Sequence, residues 1–130
     1  MAHNTDPLFA PIAGADTRVV AGVQVDVVAA GSGRIKRVIY QPGFRWSTHM
    51  KDEVGTDFCM HAHVGFIARG KIAARYRDGR TLEFTAPQVV AIEPGHDGWV
   101  NGGEPAVLIE VDFLGDTRGR FGMAAVKPHG

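Results

Sequence analysis

Cys59-Met60-His61-Ala62-His63-Val64-Gly65-Phe66-Ile67-Ala68-Arg69-Gly70 is a largely apolar stretch whose metal-liking side chains fall on alternate positions. Successive residues of a β-strand point to opposite faces, so Cys59, His61 and His63 share one face, and Asp57 just before them shares it too. Read as a strand from Phe58 to Ala68, that face also carries Gly65 and Ile67, and Arg69-Gly70 turns the chain. A second segment, Pro94-Gly95-His96-Asp97-Gly98-Trp99-Val100-Asn101, opens on a turn dipeptide and presents another imidazole. Together the two segments hold three of the six histidines and the only cysteine. In a closed sheet that turns this face inward, Cys59, His61, His63 and His96 form a ligand set around one interior.

The rest of the chain reads as further short strands. Val23, Val25 and Val27 alternate with Gln24 and Asp26 in a strand expected over Val19 to Ala30, closed by Gly31-Ser32-Gly33-Arg34. Ile35 to Gln41 follows at hairpin spacing, and after Pro42-Gly43 a third strand is expected over Phe44 to His49. Lys51 to Asp57 is a polar loop. Asp78-Gly79 is a strong hairpin turn between Lys71 to Arg77 and Thr81 to Phe84. Val89 to Ile92, a short Trp99-Val100 piece and Ala106 to Phe113 complete the set. Glu93, Glu110 and Asp112 alternate with apolar residues and are expected to face solvent. About nine short strands, with turns at intervals near ten residues and no sustained helical period, are the pattern of an all-β sandwich or barrel, with a jelly roll the closest match. Seventeen glycines and seven prolines suit that density of turns.

At 130 residues this is one domain. Residues 1–16 form an N-terminal arm with Pro7 and Pro11 beside apolar Leu8, Phe9 and Ile12, residues 17–114 the barrel, and residues 115–130 a tail without clear period. The arm is expected to pack on a barrel wall or on a partner subunit, and its apolar residues, which need a cover, lead to the expectation of a homodimer. Fourteen basic and fourteen acidic residues cancel and form no block, which argues against nucleic acid and against an anionic membrane surface as partners. The start has no basic-then-apolar leader pattern and no stretch nears the ~18 apolar residues of a membrane span, so a soluble cytoplasmic protein is expected. A single cysteine makes no internal disulfide, as suits a reducing compartment.

From Tyr40 to Phe113 the chain resembles the cupin superfamily, whose double-stranded β-helix carries two motifs. The first is a glycine, five residues, His-x-His, three or four residues, Glu, six residues and a glycine. Gly55 followed after five residues by His61-Ala62-His63 matches its opening and leaves the glutamate position to Ile67 or Ala68. Anchored instead on the turn glycine Gly70, the motif puts His63 at the glutamate, Cys59 at the second histidine and Asp57 at the first, and this alignment is favoured because the turn is needed whatever the ligands are. The second motif, Pro-x-Gly-x-x-His with a later Asn, is met by Pro94-Gly95-His96 and Asn101, with the histidine directly after the glycine and Gly98 in its usual place. The chain is also similar to a set of small uncharacterised bacterial cupins. The resemblance implies a cupin barrel binding a small molecule, homodimeric pairing through an outer sheet, and metal-dependent dioxygenase, isomerase or lyase chemistry, or else a non-catalytic, metal-free ligand-sensing module.

A thiolate with two or three imidazoles suits a divalent transition ion better than magnesium or calcium, so the expected cofactor is zinc, iron, nickel or manganese, held by His61, His63, His96 and Cys59. Binding by neutral imidazoles is expected to weaken as pH falls below ~6.5. Each residue has an alternative reading. Cys59 serves equally as a buried small hydrophobe or, less readily, as a nucleophile with a histidine as base. Asp57 is a further ligand or a local cap, Asp97 a turn residue or an imidazole partner, and His49 a solvated loop residue. Tyr40, Trp46, Phe66 and Trp99 line a pocket or simply fill the barrel. No residue is assigned a catalytic role.

Overall fold

The valine-rich alternation near the start makes a hairpin rather than one strand. β1 (Asp16–Val20) and β2 (Val23–Ala30) pair antiparallel through Ala21-Gly22, where φ is +51° and +81°. A two-residue hairpin loop takes positive φ at both central positions, and an alanine there gives no sequence signal of it. The computed structural model describes residues 6–113, so the expected tail over 115–130 lies outside the described residues, as do the side chains of Asp112 and Phe113.

β3 (Gly33–Tyr40) follows as expected, but the third strand expected over Phe44 to His49 is absent. In its place stand two single helical turns, α1 (Trp46–His49) and α2 (Lys51–Val54). Two interactions select this form. Asp97 accepts bonds from the Ser47 amide (2.9 Å) and hydroxyl (2.8 Å), and Trp46, Met50 and Val54, spaced by four, lie along the cavity inside the barrel. The remaining strands are β4 (His63–Arg69), β5 (Lys71–Tyr76), β6 (Thr81–Thr85), β7 (Gln88–Ile92), β8 (His96–Val100) and β9 (Ala106–Phe113). β4 starts at His63, so the continuous strand expected from Phe58 is broken: only Cys59 pairs, in an isolated bridge to His96.

The strands form a six-stranded sheet in the order β1-β2-β3-β9-β4-β7 and a three-stranded sheet in the order β6-β5-β8. Every pairing is antiparallel. The inner faces enclose a core in which Ile67, Val90, Ala106 and Leu108 are almost fully buried; each large aliphatic there contributes roughly 1.5–3 kcal/mol. Gly65 sits where β4 crosses closest to β9: a Cβ there would lie 1.8 Å from the Ile109 carbonyl oxygen. Glycine is required for this approach, which brings β4 alongside Glu110.

The described part of the arm, from Asp6, lies on its own barrel. Asp6 accepts a bond from the Leu8 amide and caps a 3-10 turn over Pro7–Phe9, and Leu8 and Phe9 pack against Ile39, Ala68 and Val107 on the outer face of the large sheet. Arg37 reaches from β3 to donate to the carbonyls of Leu8 (3.0 Å) and Ala10 (2.6 Å). Behind it stands Asp26, 2.9 Å from Arg37 Nε and 2.7 Å from Nη2. Leu8 and Phe9 thus find their cover within the chain, which removes them as a ground for dimerisation. Among the described residues no helix is long and apolar enough to cross a membrane.

Candidate metal centre

Cys59 and His96 are locked together through their backbones. The Cys59 amide donates to the His96 carbonyl (2.7 Å), and the amides of His96 (3.2 Å) and Gly95 (2.8 Å) donate back to the Cys59 carbonyl. The chain then leaves this bridge to the three-stranded sheet and joins the six-stranded sheet at His63. Sγ of Cys59 and one ring nitrogen each of His63 and His96 all lie within 4.8 Å of one another. Both histidines are tied from behind. His96 Nδ1 is 2.7 Å from the Glu93 carbonyl, and His63 Nδ1 is 3.1 Å from Glu110 Oε2. A carbonyl and a carboxylate only accept, so each Nδ1 carries its proton. His63 Nε2 faces Cys59 Sγ at 3.9 Å. Imidazoles oriented in this way by an outer acceptor are the usual state of metal-bound histidines.

Glu110, expected to face solvent, is buried with 3% exposure at the centre of this arrangement. Its Oε1 is 3.1 Å from His61 Nε2, and Lys36 Nζ lies 3.9 Å away. The alternation in β9 misleads because both of its faces are covered: Ala106 and Leu108 turn to the core while Val107 lies under the arm. Apolar residues on both faces leave parity without a sign. His61 falls outside the Cys59 group and belongs to a second cluster with His63 and Glu110, its own side chain half exposed. Asp57 turns away to an exposed pairing with Lys51. His49 is exposed, its ring over Phe44 and its Nδ1 on the Arg45 backbone. Asp97 is neither a ligand partner nor a plain turn residue: it anchors α1 and holds Arg45, whose guanidinium lies 4.3 Å from the Trp99 ring centre. Phe66 points outward and is exposed, whereas Tyr40, Trp46 and Trp99 do line the cavity.

Charge is shared across the cluster. Burial opposes a charged His63, yet its bonds to Cys59 and Glu110 outweigh this and hold the imidazolium up to about 9. Burial also pushes the Cys59 thiol up, but His63, His96 and the His61 backbone pull it down to about 6. Against burial, His61, His63 and the charge of Lys36 bring the Glu110 carboxylate down to about 2. Burial and the negative charges of Glu110 and Cys59 push the Tyr40 phenol up. A low thiol beside a high imidazole is a thiolate–imidazolium pair, which becomes a thiolate and two neutral imidazoles on loss of one proton. Cys59, His63 and His96 would supply zinc or another borderline divalent ion with three protein ligands.

These three residues line a cavity of about 500 Å³, within the roughly 300–1,000 Å³ of small-molecule sites. Its wall is largely aliphatic and aromatic, with Val25, Val38, Phe44, Trp46, Ile72 and Leu108 among the lining residues. Replacing Glu110 by Gln should weaken metal binding by about 10–100-fold, as loss of an outer partner does, while the fold is kept. Competition against a chromogenic chelator measures it, and an unchanged affinity would mean that Glu110 does not orient His63.

No family model and no curated protein matches the chain. Solved structures do. A Cupin 2 conserved barrel domain protein from Salinispora arenicola aligns over 88% of this chain and 94% of that chain, with TM-score 0.55 at 17% identity. A protein of unknown function from Vibrio parahaemolyticus aligns over 78% and 100% (TM-score 0.54, 9% identity), and a protein from Neisseria meningitidis aligns over 70% and 83% (TM-score 0.51, 11% identity). Together with the two-sheet antiparallel architecture, these show that the chain has the fold of a cupin barrel.

Proposed function

We propose that this cupin binds a small molecule in its barrel at a divalent transition-metal centre held by Cys59, His63 and His96. The observation that carries this reading is the convergence of one sulfur and two imidazole nitrogens on the cavity, with each imidazole's other nitrogen already occupied. A bound zinc, iron, nickel or manganese ion supplies a Lewis acid or, for the redox-active ions, an electron-transfer centre. The chain's own residues do the rest. Glu110 and the Glu93 carbonyl set the direction of the two rings, the apolar wall keeps water from the substrate body, and Asp97 pins α1 beside the cavity. Dioxygenase, isomerase and lyase chemistry all need a substrate held beside the metal, and the fold alone does not choose among them. A free thiol as ligand suits the reducing cytoplasm.

The second reading, a metal-free ligand-binding module, is favoured by the closed Cys59–His63–Glu110 hydrogen-bond chain, which is satisfied without an ion. Elemental analysis of protein produced with all four metals available separates the two. Near one equivalent of one metal is expected; less than about a tenth of an equivalent of every metal removes the metal reading and leaves the binding module.

The protein is further proposed to form a homodimer through the outer face of the six-stranded sheet. There Ile35 on β3, Val64 and Phe66 on β4 and Val89 on β7 are exposed, and Phe66 and Val89 are register partners. Apolar residues grouped in this way mark an interaction surface. Sedimentation should give a dimer for the wild type and a folded monomer for Phe66→Asp, and a wild-type monomer would sink the idea.

A further inference from the structure

Lys36 stands on the inward face of β3, in register with Glu110, and only about a fifth of its side chain is exposed. A lysine facing a barrel interior is costly unless its charge is met. Here it is met incompletely. The nearest polar atom is His61 Nε2 at 3.1 Å, and the carboxylate of Glu110 is 3.9 Å away, beyond hydrogen-bond reach. That same His61 nitrogen is 3.1 Å from Glu110 Oε1. One ring nitrogen cannot both accept from an ammonium and donate to a carboxylate. If it serves Glu110, the Lys36 ammonium has no acceptor there. If it accepts from Lys36, its lone pair faces Oε1. Glu110 is already committed on its other oxygen to His63. Among the described residues lining the cavity Lys36 is the only lysine or arginine.

We infer that the cavity takes an apolar small molecule bearing a single negative charge, a monocarboxylate or enolate on a hydrocarbon body, and that Lys36 is the residue that selects for the charge. The inference rests on the proposed small-molecule site for its occupant. With Glu110 held by His63 and Lys36 beyond hydrogen-bond reach of it, the Lys36 ammonium is left to meet one negative charge on the ligand. The apolar body follows from the wall, where Val25, Val38, Phe44, Ile72 and Leu108 are apolar and Tyr40, Trp46 and Trp99 add only uncharged polar tips.

The test is calorimetric titration of 3-phenylpropionate and of its neutral amide into wild type, Lys36→Met and Lys36→Arg. Each protein is titrated both reconstituted with metal and after chelator treatment, with metal content measured alongside. Wild type should bind the acid at least about tenfold more tightly than the amide. Lys36→Met should lose that preference at unchanged metal content, and Lys36→Arg should keep it. Should the chain take up no metal, the metal reading fails separately. A carboxylate preference in the chelator-treated protein that disappears in Lys36→Met still supports the role of Lys36. Equal affinity for acid and amide in wild type, no binding of either probe up to millimolar concentration, or a preference that survives in Lys36→Met overturns the inference.

Discussion

The His63→Ala variant should come from purification nearly free of metal, with affinity reduced at least ~100-fold, more than loss of an outer partner alone costs. The His49→Ala variant should match wild type. Both positions are histidines in the same half of the chain, but His63 Nε2 converges with Cys59 and His96, whereas His49 is exposed and bonded to the Arg45 backbone. Elemental analysis of the three proteins reads the difference, and equal metal content in all three would remove His63 from the site. The same site sets a pH dependence. In the metal-free protein the Cys59 thiol ionises near about 6 and the His63 ring keeps its proton up to about 9. Between these values binding must displace one proton, that on His63 Nε2. Affinity should therefore rise about tenfold per pH unit from about 6 to about 9 and flatten above, while below about 6 the slope steepens because the thiol must ionise as well. This moves the upper bound well above the ~6.5 of a free histidine. Uptake near pH 7.5 should release close to one proton per ion in a weakly buffered titration, and an affinity flat across that range would contradict the assignment.

Loss of Asp26 should be the most damaging single change to stability away from the site. Asp26 is 2% exposed and Arg37 3% exposed, and the pair sits beneath the arm on the outer face of the large sheet. Thr17 and Gln24 also donate to the carboxylate, and with Arg37 they hold its pKa below the usual range against the effect of burial. Asp26→Ala leaves a buried guanidinium with only the Leu8 and Ala10 carbonyls as acceptors, a loss of about 3–5 kcal/mol and roughly 10–25 °C in Tm. The double variant Asp26→Leu/Arg37→Met, which removes both charges, should recover much of that. Thermal and chemical denaturation measure both, and an Asp26→Ala protein within about 1 kcal/mol of wild type would show that the pair is not structural.

The sequence alone determined the architecture. Alternation in Val23 to Val27, the Asp78-Gly79 turn and the spacing of Pro-Gly and Gly-Lys breaks belong to local backbone preference, which acts over a few residues and is therefore visible in a few residues. Cys59, His63 and His96 stand out as candidates for the same reason, since their residue types and their place beside turns are local facts. Where residues 46–54 fold into helical turns, the spacing of Trp46, Met50 and Val54 was present in the sequence, but a strand reading of Phe44 to His49 competed with it, and Asp97, far away in the chain, decided between them.

Only the tertiary structure decided which side of each strand is inside. β9 has apolar residues on both faces because the arm covers one of them, so nothing local distinguishes an outward Glu110 from the buried one that orients His63. The break before His63, which separates His61 from Cys59 and undoes the parity of a continuous strand, follows from the pairing of Cys59 with His96 across more than thirty residues of chain. Burial, and the shifted acidities that come with it, depend on neighbours brought together by strand pairing, and a one-dimensional pattern does not carry that information.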